Sequence, residues 1–348
     1  VTGLVLMGVK NLFTLELEDG RRVLASLKGK VLKDIQGHYN SLAPGDWVEA
    51  AADPHDAGRA QILGMLPRRS AFARYNEKGR APQVLAANVD RVLLVTSPDQ
   101  PPFRPRFIDR VQVACSAQDL EFCILVNKSD LGVGREVLDR LEPYRTMGMR
   151  VLRASAAERK GLKELRRLLS HGLTVLTGQS GVGKSSLLNA IEPSLGLRVG
   201  ELCAKYGRGA HTTVLSILLR LEGDGMVVDT PGFRRFALRG LDHARLTACM
   251  PDLAAAAADC IHGQACSHAG EAGCAVVQAA RDGLVHPDRY ESYLRILEEL
   301  RRGAVEEVLR RDVQAGKPTT GRTARHGSSA HRLSGHRIDW AEEGWDEE

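Results

Sequence analysis

The chain has 348 residues, 43% of them hydrophobic and 26% charged, with a formal net charge of +5. These are globular values, and the length calls for two or three domains rather than one. No apolar run approaches a membrane span and the N-terminus lacks a secretory pattern, so the seven cysteines point to a reducing compartment, the cytoplasm, and not to disulfides.

Residues 1–68 read as all-β. Phe13, Leu15 and Leu17 alternate with Thr14, Glu16 and Glu18, and Asp19-Gly20 supplies a hairpin turn before Arg22-Val-Leu-Ala-Ser-Leu27. Trp47-Val-Glu-Ala50 follows a Pro-Gly-Asp turn, and Ala60-Gln-Ile-Leu-Gly64 closes the set. So many short strands in so few residues predict a small barrel such as an OB-fold, a nucleic-acid-binding architecture, or else a plain β module packed on its neighbour. Residues 69–86, with Arg69, Arg74, Lys78 and Arg80 after Arg68, read as a basic linker, solvated or facing RNA.

From residue 87 to 238 the pattern is α/β. Buried strands near 91, 122, 150, 173, 214 and 226 alternate with helices at Pro105–Ala117, 134–147 and Leu162–Leu169, which predicts a mostly parallel sheet. Asn127-Lys128-Ser129-Asp130 ends the second strand. An Asp carboxylate there accepts two N–H bonds from N1 and the 2-amino group of guanine, and adenine offers no such donor pair. Ser155-Ala156, after the third strand, fits a second guanine loop.

Gly178-Gln179-Ser180-Gly181-Val182-Gly183-Lys184-Ser185 follows an apolar strand and opens a helix that continues through Ser186, the arrangement of a phosphate-binding P-loop. Its glycines let backbone N–H groups point inward, Lys184 reaches the β- and γ-phosphates, and the Ser185 hydroxyl ligates Mg²⁺. Downstream, His211-Thr212-Thr213 supplies a switch threonine for Mg²⁺, either Thr212 or Thr213. Asp229-Thr-Pro-Gly232 is the γ-phosphate-sensing D-x-x-G. The guanine motif therefore precedes the P-loop, the order of a circularly permuted GTPase, whose new termini need flanking domains to tie them down. Phe233 stands where many GTPases carry a water-orienting glutamine, so hydrolysis of GTP to GDP is expected to be slow alone. His211 is the nearest polar candidate for that role, or else a surface-loop histidine.

Residues 239–311 hold Cys260, Cys266, His268 and Cys274, three thiols and an imidazole within fifteen positions. Cys₃His is a closed tetrahedral zinc set, and its expected role is structural. His262 is a substitute ligand, Cys115 and Cys123 read as core, and Cys203 and Cys249 have no assigned role. Asp288 to Arg311 reads as a charged helix whose apolar side includes Tyr293, Leu297, Val305 and Leu309. Residues 312–348 read as a disordered tail, basic and then acidic.

In these motifs the chain resembles the RsgA (YjeQ/EngC) family of circularly permuted ribosome-biogenesis GTPases. The resemblance rests on Ala87-Asn88-Val89-Asp90, N-K-S-D, G-Q-S-G-V-G-K-S-S, H-T-T, D-T-P-G-F and the Cys/His cluster, in that order. It implies a multidomain fold: an N-terminal OB-fold barrel, a permuted P-loop GTPase domain and a helical zinc-binding domain. It also implies late maturation of the small ribosomal subunit, contact with its rRNA, and GTP hydrolysis stimulated by that subunit, in a protein expected to be monomeric. Two departures stand out: five residues rather than four separate Cys260 from Cys266, and Val214 replaces a third threonine. The rival readings are an RNA-binding assembly factor with GTP as a structural ligand, and a permuted GTPase of the large subunit.

Overall fold

The computed structural model describes residues 1–9, 11–27, 38–197, 216–233 and 235–314. Five strands open the chain: β1 (Thr2–Val9), β2 (Leu12–Leu17), β3 (Arg22–Leu27), β4 (Trp47–Ala52) and β5 (Arg59–Met65). They close into an OB-like barrel of order β1-β2-β3-β5-β4, with β3 and β5 parallel and β4 returning to β1. Phe13, Leu15 and Leu17 point inward as their alternation predicts. Strand β1 has no such alternation, because both of its faces are covered. Val5 lies in the barrel core, whereas Leu4 and Leu6 pack into the core of the following domain.

The stretch expected as a basic linker is instead built into the fold. Strands β6 (Ala71–Asn76) and β7 (Ala81–Ala87) form an antiparallel hairpin. Arg68 donates to both carboxylate oxygens of the buried Asp46, each at 2.7 Å, and Arg69 pairs with Asp90 at 2.6 Å. The tip, residues 77–80, is solvated as a linker would be, and Arg69 and Pro82 are also exposed.

The central domain runs β8 (Arg91–Thr96), α1 (Pro105–Ala117), β9 (Glu121–Val126), α2 (Arg135–Thr146), β10 (Arg150–Arg153), α3 (Leu162–Leu169), β11 (His171–Gly178), α4 (Lys184–Ile191), β12 (Ile217–Arg220) and β13 (Asp224–Asp229). Among the described residues the sheet order is β10-β9-β8-β11-β13-β12, parallel except for β12. The position expected for a strand near 214 lies outside the described residues, and the strand observed is β12. Successive residues of β8 serve opposite faces. Val92 and Leu94 join the core shared with α1, and Leu93 and Val95 join the core under α3 and α4.

Among the described residues four further α-helices follow: α5 (His243–Ala248), α6 (Pro251–Ala257), α7 (Ala275–Arg281) and α8 (Pro287–Gln314). Residues Val1–Ala304 form one compact unit, and Val305–Glu348 form another. In the second, Val305 and Leu309 of α8 are exposed, contrary to the expected apolar side.

An ion network buried in the first unit joins the α/β domain to these later helices. Asp109 of α1 accepts from Arg289 of α8 at 2.7 Å, from Arg140 of α2 and from the Tyr144 hydroxyl. Arg289 also donates to Asp252 of α6 at 2.6 Å. Asp109 and Arg289 are both inaccessible to solvent. Removing one partner of such a pair strands the other charge in a low-dielectric core. Asp109→Ala is therefore expected to lower unfolding free energy in urea by about 3–5 kcal/mol; a loss under about 1 kcal/mol would place it in the range of a surface pair.

Candidate nucleotide site and Cys/His cluster

The phosphate loop leaves the carboxyl end of β11 and re-enters the fold as α4. Gly183 caps that helix with φ at +90°, and a β-carbon there would sit 2.5 Å from the Asn127 Nδ2. Gly232, from D-T-P-G, comes as close from the other side: its β-carbon would lie 2.5 Å from the Ser180 backbone nitrogen. Glycine is needed at both places: Gly232 packs against the Ser180 backbone, and Gly183 combines a left-handed φ with the close Asn127 side chain. Val182 and Gln179 are buried, Ser185 and Ser186 half-buried, and Ser180 and Gly181 exposed, so the loop opens toward solvent at its middle.

Asn127 joins three loops. Its Nδ2 donates to the Val182 carbonyl at 2.8 Å, and its Oδ1 accepts from the Ala156 amide at 3.3 Å. Ser129 adds a bond from its amide to the Ala154 carbonyl at 3.1 Å. Lys128 holds a left-handed backbone and donates its ammonium to the Gln100 carbonyl. Asp130 is exposed, so its carboxylate is available to a base entering from solvent. Ser155 is buried; its backbone pairs twice with Lys160, and its hydroxyl accepts from the Glu158 amide at 3.0 Å. The residues expected to bind base and phosphates thus lie on adjoining loops at one edge of the sheet.

The loop after β8 was not singled out in the sequence. Pro101 approaches Gly181, with a β-carbon contact of 3.8 Å, and Gln100 takes the Lys128 ammonium. The signal available was position alone, since this loop also leaves the carboxyl end of a parallel strand. His211, Thr212 and Thr213 lie outside the described residues, as does Cys203.

Asp229 ends β13 facing Lys184, and both are buried. Burial pushes the Asp229 carboxyl up to about 6 against the opposing pull of Lys184, and burial lowers the Lys184 ammonium. The Asp229 Oδ1 is buried with no hydrogen-bond partner. A carboxylate oxygen left bare beside a lysine and a glycine-lined loop fits a site made for Mg²⁺ and phosphate. Phe233 is buried on the far side of Gly232, edge-on to Phe236 with ring centroids 6.2 Å apart. It has no polar group to offer a water.

The Asp229 shift has a pH consequence. The folded carboxyl keeps its proton up to about pH 6, while an unfolded one releases it near pH 4, so folding takes up protons between these values. Stability contributed by this group is thus lost as pH rises through that window. Relative to Asp229→Asn, which does not titrate, the nucleotide-free wild type should lose about 2 kcal/mol between pH 4 and pH 6.5 in urea denaturation. A pH-independent difference would contradict the burial account.

Cys260, Cys266, His268 and Cys274 are all buried, and their ligand atoms lie within 4.8 Å of one another, the group among the described residues with metal-ligand character. The Cys260 and Cys274 sulfurs are 3.9 Å apart, close to the edge of about 3.8 Å expected for a tetrahedron of 2.3 Å Zn–S bonds. The His268 Nδ1 is 3.2 Å from the Cys274 sulfur. The five-residue spacer after Cys260 does not keep it from the cluster. His262 is exposed, with its Nε2 on the Ala272 carbonyl at 2.8 Å, and so takes no part. Tyr290 and Tyr293 of α8 brace the loop by donating to the His268 and Ser267 carbonyls at 2.9 and 2.8 Å. The donor set fits zinc.

Comparisons with known proteins agree with this geometry. The family described as RsgA GTPase matches residues 65–239. A small ribosomal subunit biogenesis GTPase RsgA of Chlorobaculum parvum is 37% identical over 295 residues, which cover 83% of this chain and 94% of that protein. Its namesake from Borrelia garinii is also 37% identical, covering 85% and 95%. The crystal structure of YjeQ from Thermotoga maritima superposes with a TM-score of 0.66 at 30% identity, covering 86% of this chain and 98% of that one. That of YloQ, a circularly permuted GTPase, gives 0.61 at 26% identity, covering 86% and 95%. No helix among the described residues is long and apolar enough to cross a membrane.

Proposed function

The chain belongs to the RsgA GTPase family, and from that premise we propose that it matures the small ribosomal subunit, binding it with GTP and leaving after hydrolysis. The bond from Asn127 to the Val182 carbonyl carries the reading, because it joins guanine motif and phosphate loop in one pocket although the chain reaches them in reverse order.

Within that pocket each residue has a chemical task. Asp130 accepts from the guanine edge, with Asn127, Lys128, Ser129, Ser155 and Ala156 shaping the loops around the base. The backbone of residues 178–183 and the Lys184 ammonium receive the phosphates, and binding relieves the desolvated Lys184 and Asp229 together. Ser185, with Thr212 or Thr213, would hold Mg²⁺, which when bound neutralises charge on the phosphate oxygens. Asp229 and Gly232 respond to the γ-phosphate. Since Phe233 is buried and apolar, orientation of the attacking water falls to another group, His211 on this reading, and turnover waits for the ribosomal partner.

The exit from Gly232 explains how hydrolysis reaches the rest of the molecule. Leu238 donates its amide to Glu299 of α8 at 3.4 Å, and Glu299 also takes Arg110 of α1 at 2.5 Å. Movement of the D-T-P-G segment on phosphate loss therefore pulls on the helices that carry the Cys/His cluster. In this reading the barrel and those helices grip rRNA, the protein acts as a cytoplasmic monomer, and one structural zinc sits on Cys260, Cys266, His268 and Cys274.

Two outcomes test it. Small subunits should bind more tightly with a non-hydrolysable GTP analogue than with GDP, by roughly tenfold or more in pelleting assays; equal affinity would sink the switch. One zinc per chain should be found by elemental analysis, and Cys266→Ser should lose it together with the near-UV signature of the Tyr290–Tyr293 pair. A metal-free protein with that signature intact would show that the loop stands without zinc.

A further inference from the structure

Strand β6 holds the segment after D-T-P-G through Phe72, Arg74 and Tyr75. Phe72 stacks on Phe236 with centroids 5.6 Å apart. The Gln118 carboxamide locks Ala73, accepting from its amide at 2.7 Å and donating to its carbonyl at 3.2 Å. The Arg74 guanidinium lies over the Phe233 ring, 4.5 Å from its centroid. Tyr75 donates its amide to the Ala237 carbonyl at 3.3 Å. Phe233 in turn donates its amide to the Gly178 carbonyl at 3.1 Å, and the preceding Gly232 touches Ser180. Arg74 is thus two contacts from the phosphate loop, on a strand held in place from behind by α1.

An arginine that only filled space would not be placed this way. The Arg74 Nε is buried with no hydrogen-bond partner, and the Nη2 makes one long bond, 3.4 Å, to the Gln83 carboxamide. Burial disfavours its charge, with Glu77 opposing that effect. A methionine would fill the volume without a desolvation cost. Besides Glu77 and the Gln83 carboxamide, what rewards a cation here is the face of Phe233, 4.5 Å away.

We propose that Arg74 is a positioning residue for nucleotide turnover: its cation–π contact with Phe233 holds Gly232 against the phosphate loop before nucleotide arrives. The kinetic side of this inference rests on the GTPase reading above, and the structural side does not. Phe233, in the place of a water-orienting side chain, becomes the handle by which the hairpin sets the backbone that faces the γ-phosphate.

The test uses the full chain with Arg74→Met, Arg74→Lys, Phe233→Leu and the Arg74→Met/Phe233→Leu double variant. Arg74→Met should lower kcat for GTP about tenfold while KM and GDP affinity stay within about threefold. Arg74→Lys, which keeps the charge, should recover most of the loss. Phe233→Leu should cost as much as Arg74→Met, and the double variant no more than either. In nucleotide-free protein, amide exchange at Gly232 and Phe233 should quicken in Arg74→Met and not in Arg74→Lys. A kcat within about twofold of wild type, additive losses, or unchanged exchange would overturn the proposal. If the wild type itself fails to hydrolyse GTP, the proposed function falls, and the exchange comparison alone decides whether Arg74 holds the loop.

Discussion

The Asn127 side chain makes two hydrogen bonds to backbone groups, to the Val182 carbonyl and from the Ala156 amide, and those groups belong to two different loops. Each loop leaves the carboxyl end of a parallel strand, so strand order brings them near one another, and the carboxamide fixes their spacing. The fit leaves no slack: a β-carbon at Gly183 would meet the Asn127 nitrogen at 2.5 Å. Leaving either backbone group unpaired in the interior would cost about 1–3 kcal/mol. This cross-link is indifferent to chain order, which is how a permuted sequence can keep one pocket.

Around that fixed point the site stores electrostatic tension. Lys184 and Asp229 are both desolvated, each pushed toward its neutral form, and an Asp229 oxygen lacks any partner. A pocket in this condition is built to be completed by a charged ligand. The segment that follows Asp229 is held from two sides, by β6 through Phe72 and Arg74 and by α8 through Glu299. The same α8 is anchored to α1 and α2 by the Asp109–Arg289–Arg140 network. The nucleotide pocket and the Cys/His loop are thereby parts of one connected core, and a change at Gly232 has a physical route to both.

The motifs were legible because their chemistry is local. Asn127 to Asp130, residues 178–185 and the four metal-type ligands each sit within fifteen residues or fewer, and the structure brings each set together as a loop or cluster. The barrel was legible from β2 and β3, whose alternation reports one buried face. Strand β1 was not, since Leu4, Val5 and Leu6 all face apolar neighbours and leave no period to read. The β6–β7 hairpin was read as a linker because its arginines look solvated in sequence. Their partners, Asp46 for Arg68 and Phe233 for Arg74, lie 22 and 159 residues away and become visible only in three dimensions. The switch candidates His211, Thr212 and Thr213 fall outside the described residues, so their place in the pocket rests on the sequence.

The proposed function turns on a guanine nucleotide pocket that would work slowly until a ribosomal subunit completes it. The most direct measurement is steady-state GTP turnover by the purified chain alone, with isolated small subunits, and with isolated large subunits. The account predicts slow basal turnover and strong stimulation by small subunits only. Stimulation by large subunits instead, or by neither, would contradict it.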